Sequence, residues 1–129
     1  MAARSLLDQL NWRYATKKMK ADTAVPQDKI DAILEAIRLA PTSSGTQPFE
    51  VFVVTNPDLR AQICDAASSQ AQITDSSHLL VFAAWDNYTA ERIDAVTAQM
   101  TEERGELPML NAYYDNLKNN YMPRDAKVN

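Results

Sequence analysis

The sequence predicts an α+β fold, helices layered against a small sheet, and three observations carry that prediction. Ile30, Ile33, Leu34 and Ile37 recur at i, i+3, i+4 and i+7, which is one face of a helix. Val51-Phe52-Val53-Val54 and His78-Leu79-Leu80-Val81-Phe82-Ala83-Ala84-Trp85 are short apolar runs that read as strands buried on both faces. Further helical stripes precede and follow them, so helices outnumber strands. Two strands are too few for an independent sheet with covered faces, whereas the helices suffice for flanking layers.

At 129 residues, 46% hydrophobic and 23% charged, the chain suits one globular domain spanning residues 1–129. Its net charge of −4, with no basic stripe to offset it, argues against a nucleic-acid partner. No apolar run approaches membrane-spanning length, and the N-terminus lacks a signal-peptide core. One cysteine, Cys64, cannot form an internal disulfide, and one histidine, His78, excludes a histidine-rich metal site. The expectation is a soluble cytoplasmic protein without metal.

Taken in order, Ser5 caps a first helix over 5–12, with Leu6, Leu7 and Leu10 on one side. Arg13-Tyr14-Ala15-Thr16-Lys17-Lys18-Met19-Lys20 breaks that pattern with four cations in eight residues. Such a run is either a solvated basic turn or a phosphate site, Arg giving a planar fork and Lys a point charge. Pro26 and Asp28 suit the first turn of a second helix running to about Ala40.

Pro41 ends that helix, and Pro48 keeps its predecessor extended. The turn between them holds four hydroxyls, a glycine and a carboxamide. It is either a well-punctuated connection or a rigid loop that grips a small ligand. Asn56-Pro57-Asp58 opens a third helix with Leu59, Ile63 and Ala66 on its apolar face and Cys64, a buried inert thiol, beside it. Residues 68–77 form a polar connector, of the kind that is a loop or a capped short helix.

His78 reads as a structural histidine at a strand start. Thr89 caps a helix to about Arg104, with Ile93, Val96 and Met100 on its core face, and Gly105 stops it. Leu107, Leu110, Tyr113 or Tyr114, Leu117 and Tyr121 trace a last helix. The tyrosines could line a pocket but suit interhelical packing better. Pro123 begins a polar tail to Asn129.

Three stretches then carry a resemblance: Asn11-Trp12-Arg13-Tyr14-Ala15-Thr16-Lys17-Lys18-Met19, the loop Ala40–Phe49, and Gln70-Ala71-Gln72-Ile73-Thr74-Asp75-Ser76-Ser77-His78-Leu79-Leu80-Val81-Phe82. In order and spacing they resemble the FMN-dependent nitroreductase family, in its NAD(P)H-dependent oxidoreductase branch. The resemblance implies a three-layer sandwich with a central, mostly antiparallel sheet, present here as the N-terminal portion. It also implies a flavin enzyme passing hydride from NAD(P)H through FMN to nitro, quinone or related electron-poor substrates. No side chain is a catalytic residue in that scheme, since the cofactor does the bond-breaking. The alternative is a truncated flavin-binding or assembly module without turnover of its own.

Carried over residue by residue, the resemblance implies that Arg13 holds the flavin phosphate, with Tyr14 and Ala15 supplying nearby backbone contacts. Ala15 lacks the serine hydroxyl of other branches. Lys17 is placed at the N1/O2 edge of the isoalloxazine, where a cation tunes the flavin toward reduction. Pro41, Thr42, Ser43 and Gly45 are placed against the flavin of the other subunit of a homodimer, and Ser69 and Gln72 at the pyrimidine edge. Ser69 replaces a common asparagine, Phe49 a tryptophan and Thr46 an apolar residue. Family chains continue past the point matching Asn129, so a complementary C-terminal segment or a second chain is expected to cover the apolar faces of 30–40 and 107–121.

Overall fold

The computed structural model of the chain describes residues 5–106 and 108–125; Leu107 and the tail from 126 to Asn129 lie outside the described residues. Six α-helices and two strands follow in the order α1 (Leu6–Trp12), α2 (Gln27–Arg38), a 3-10 turn at Ser43–Gly45, β1 (Phe49–Val54), α3 (Pro57–Ala66), α4 (Gln72–Asp75), β2 (Leu79–Ala84), α5 (Ala90–Arg104) and α6 (Pro108–Asp125). β1 and β2 form a two-stranded antiparallel sheet. The described residues divide into two compact units. One holds the residues up to Ile30 and Val53–Val81, the other Asp31–Phe52 and the residues from Phe82 on.

In the first unit, Ser5 caps α1 by accepting from the Asp8 amide, and Asp8 returns the bond to the Ser5 amide, closing a capping box. The Asn56 side chain caps α3 by accepting from the Leu59 amide at 2.9 Å, with Pro57 in the first turn. α3 then packs on α4. The Arg60 guanidinium donates to the Thr74 and Ser76 carbonyls at the end of α4, and the Cys64 thiol donates to the Gln70 carbonyl at 3.3 Å. A cation suits a helix C-terminus, where unpaired carbonyls gather. Cys64 is buried as expected. Ser77 Oγ accepts from the Val25 amide and pairs with His78 Nδ1, so His78 is held structurally just ahead of β2.

The second unit is built on α5 against α6. Ile93, Tyr114 and Leu117 form its buried core, with Tyr88, Val96, Met100, Leu110 and Tyr121 packed against them. Thr89 caps α5, and Gly105 ends it at φ +83°. Arg92 ties the β2–α5 turn together by donating to Asp86 Oδ1 (2.7 Å) and the Asn87 carbonyl (2.7 Å), its guanidinium 5.2 Å above the Trp85 ring. Lys118 of α6 pairs with Asp94 of α5 and with Asp115. In the same unit the Trp85 amide donates to the Pro48 carbonyl, and Phe49 and Phe82 lie 6.3 Å apart.

Several expectations are corrected. Neither strand contains a buried residue: Phe52 is 50% and Phe82 60% exposed, so the runs are not buried on both faces within this chain. The leucines of α1 are exposed as well, since nothing in the described chain covers that face. α2 ends at Arg38, two residues short of Ala40. Pro123 does not begin a tail but lies inside α6. Its missing N–H costs least close to a helix end, where few turns remain to be broken. Gln47 is not extended before Pro48 but sits at φ +41°, because its amide donates to Thr42 Oγ1 (2.9 Å) and its carboxamide to the Arg38 carbonyl (2.7 Å). Those two bonds outweigh the local preference against a folded residue before proline.

Candidate functional site

The most strongly shaped segment is the polar loop 42–47. Ser44 (φ +56°), Gly45 (+65°) and Gln47 (+41°) all adopt left-handed backbone, two of them without glycine's freedom. Such residues cost of order 1–3 kcal/mol each and persist only where the surroundings fix them. Here the fixing groups can be named. The Gly45 and Thr46 amides donate to the Thr42 and Ser43 carbonyls, and the Thr46 hydroxyl donates back to Ser43. Thr46 is 2% exposed, and this internal bond satisfies its buried hydroxyl. From α6, the Tyr114 hydroxyl donates to the Ser44 carbonyl at 2.8 Å, while the Tyr113 and Ser44 hydroxyls pair at 2.7 Å.

Glycine suits position 45: its φ of +65° is left-handed, and an added Cβ would lie 2.8 Å from the Met100 methyl, the movable end of that side chain, which would have to shift. The loop therefore presents an inner side to α5 and α6 and an outer side, with Pro41, Ser43, Gly45 and Gln47 exposed, to solvent. Two open grooves flank it. One, of about 590 Å³, is lined by Ser43, Ser44, Tyr113, Asn116, Asn120 and Tyr121 and has no charged residue. The other, of about 510 Å³, includes Arg38, Gln47, Gln99, Glu103 and Arg104. Tyr113 and Tyr114 thus divide the two roles considered for them: Tyr114 is packed in the core, and Tyr113 lines a groove.

The remaining candidates belong to the first unit. Arg13, Tyr14, Ala15 and Lys17 follow α1 in a segment without helix or strand, and all four are exposed. The Arg13 amide closes the end of α1 on the Gln9 carbonyl, and neither Arg13 nor Lys17 forms an ion pair among the described residues. Ser69 follows α3 at φ +54°, beside Ser68 at +57°, and its amide donates to the Cys64 carbonyl. Gln72, half-buried, opens α4. The candidates therefore fall into two sets, Arg13, Tyr14, Ala15, Lys17, Ser69 and Gln72 in one unit and Pro41, Thr42, Ser43 and Gly45 in the other.

Sequence reasoning missed Arg60 and the grip of Tyr114 on Ser44. An arginine four residues into a capped helix gives no local sign of what it reaches, and the tyrosine contact spans 70 residues. Among the described residues, no cluster of three or more His, Cys, Asp or Glu could hold a metal ion, and no helix is long and apolar enough to cross a membrane.

Six helices and a two-stranded antiparallel sheet among the described residues make this an α+β fold, and the solved structures it resembles are nitroreductase-like. The family model for the nitroreductase family matches residues 10–129, and the chain belongs to that family. A protein of Staphylococcus saprophyticus with a provisional NAD(P)H nitroreductase name is 31% identical over 88 residues, covering 67% of this chain and 40% of that protein. The major NAD(P)H-flavin oxidoreductase of Aliivibrio fischeri is 28% identical over 112 residues, covering 78% of this chain and 51% of its own length. Among solved structures, a provisionally named nitroreductase of Exiguobacterium sibiricum in complex with FMN superposes with a TM-score of 0.74 at 18% identity, over 98% of this chain and 63% of that one. The chain spans about half the length of the curated relatives it matches.

Proposed function

We propose that this chain contributes to a flavin-dependent oxidoreductase site that takes hydride from NAD(P)H and delivers it to nitro, quinone or related electron-poor small molecules. The observation that carries the reading is the family match over residues 10–129, a stretch that contains every candidate residue from Arg13 to Gln72. The chemistry of the donor set fits the cofactor. Arg13 and Lys17 are exposed cations with no carboxylate partner among the described residues, so their charge is available to an anion.

FMN, when bound, supplies the hydride chemistry, and the protein supplies binding, orientation and electrostatics. Arg13 would hold the phosphate, assisted by the backbone at Tyr14 and Ala15. Lys17 would stabilise negative charge at the N1/O2 edge. Ser69 and Gln72 would offer hydrogen bonds to the pyrimidine edge. Pro41, Thr42, Ser43 and Gly45 would pack on the flavin held by the partner of a homodimer, their small side chains leaving room for a planar ring. The exposed strand and helix faces support an assembly in which a second chain, or a complementary C-terminal segment, covers them.

A second reading is a flavin-binding or assembly module without turnover, in which the exposed cations Arg13 and Lys17 hold the anion and no hydride passes. Titrating FMN into the purified chain, followed by anaerobic addition of NAD(P)H, separates the two. Bound flavin that bleaches supports the oxidoreductase; bound flavin that does not bleach leaves the module. No flavin binding would overturn the oxidoreductase reading and leave only the assembly role.

A further inference from the structure

We infer that Tyr114, seconded by Tyr113, is the positioning residue of the 42–47 loop: α6 dictates the loop's left-handed backbone, and through it the outer side that meets a ligand. In its functional consequence this inference rests on the flavin reading above, whereas its structural half does not.

Four observations converge on it. Tyr114 is 2% exposed, so its hydroxyl has no water to turn to and is satisfied by the Ser44 carbonyl at 2.8 Å. Ser44 is itself one of the residues held at positive φ, so the bond falls on a strained peptide unit and opposes its relaxation. The adjacent Tyr113 takes the Ser44 side chain at 2.7 Å, so two consecutive residues of α6 grip the main chain and the hydroxyl of one loop residue. Last, Met100 of α5 fills the space under Gly45, with its sulfur 3.2 Å from the Tyr114 hydroxyl. The loop is thereby wedged from below and tied from the side. The two tyrosine rings meet edge to face, centroids 5.4 Å apart, which fixes one relative to the other.

The loop's own bonds do not determine this shape alone. The Gly45 amide bond to Thr42 holds the N–H of the Ser44–Gly45 peptide, and the Thr46 amide and the Gln47 amide bond to Thr42 Oγ1 close further short rings, but none of them takes that peptide's carbonyl. With the Tyr114 hydroxyl removed, the Ser44 carbonyl can rotate toward solvent and the backbone can relax out of the left-handed region. Ser43 and Gly45, which flank that carbonyl on the outer side, would then be displaced.

Tyr114→Phe in the full chain tests this, read by amide hydrogen exchange and by FMN affinity from quenching of flavin fluorescence. The expected result is exchange about tenfold faster at Gly45, Thr46 and Gln47, with the amides of α5 and α6 unchanged, and FMN binding weakened about tenfold. Tyr113→Phe, whose half-exposed ring leaves the core intact, should accelerate the same three amides about threefold. Unchanged exchange in Tyr114→Phe, or acceleration spread uniformly through α5 and α6, would overturn the inference by making Tyr114 a core residue only. Local acceleration with unchanged FMN affinity would overturn its positioning role. A parent chain that binds no FMN would instead sink the flavin reading, while the exchange data still decide the clamp.

Discussion

At the scale of single residues, the two exposed cations have separable duties under the flavin reading. The phosphate carries the same charge in both redox states, so Arg13→Met should weaken FMN binding while leaving the potential nearly unmoved. Lys17→Met removes a cation from the edge where charge appears only on reduction. It should lower the two-electron potential by on the order of 30 mV, a tenfold change in the equilibrium, with a smaller effect on oxidised FMN. Potentiometric titration of both FMN-loaded variants checks this; a shift in Arg13→Met and none in Lys17→Met would refute both roles. Tyr114 makes a pH prediction. Burial first, then the neighbouring Tyr113, raise its pKa above the usual 10.0, against an opposing contribution from Arg104. The protonated form is the one favoured in the fold. Its stabilisation is therefore complete below about pH 10 and is lost as pH rises through the higher folded value. Urea unfolding should show the parent losing more stability than Tyr114→Phe between neutral pH and the region above 10. Parallel losses would contradict the assignment.

At the scale of elements, the caps are the most legible features. Ser5, Asn56 and Thr89 each accept from an amide three residues on, because capping is settled within one turn of chain. Gly105 is legible for the same local reason, and it gives a clean prediction. It sits at φ +83° and ψ 176°, and no atom lies within 4 Å of the point a methyl group would occupy, so Gly105→Ala should cost about 1–3 kcal/mol from backbone strain alone. Chemical denaturation measures it, and a neutral substitution would show that the α5–α6 turn is free to rearrange. Less legible is anything set by distant partners. An apolar run reports what a strand can bury and not what lies over it, so β1 and β2 read as covered and are open. The fold of Gln47 before proline cannot be foreseen from the dipeptide, since the bonds that impose it come from Thr42 and Arg38. Of the candidate site, the loop's rigidity is readable from its residue types, whereas its attachment to α6 is not, being a contact across 70 positions.

At the scale of the whole molecule, exposed apolar surface dominates. Leu6, Leu7, Trp12, Phe52 and Phe82 are all at least half exposed, far from the pattern of a self-sufficient monomer. Among the described residues only Ile30, Cys64, Ile93, Tyr114 and Leu117 form the buried apolar core, which is thin for a chain of 129 residues. The prediction is that the ordered protein is an assembly, with the loop 41–45 of one chain meeting the flavin of another. Sedimentation velocity of the purified chain with added FMN, recorded at the flavin absorption band as well as at 280 nm, tests this account most directly. The account predicts that flavin absorbance travels with a boundary of at least twice the 14.4 kDa chain mass. A cooperative, compact 14.4 kDa monomer that leaves the flavin unsedimented would contradict it.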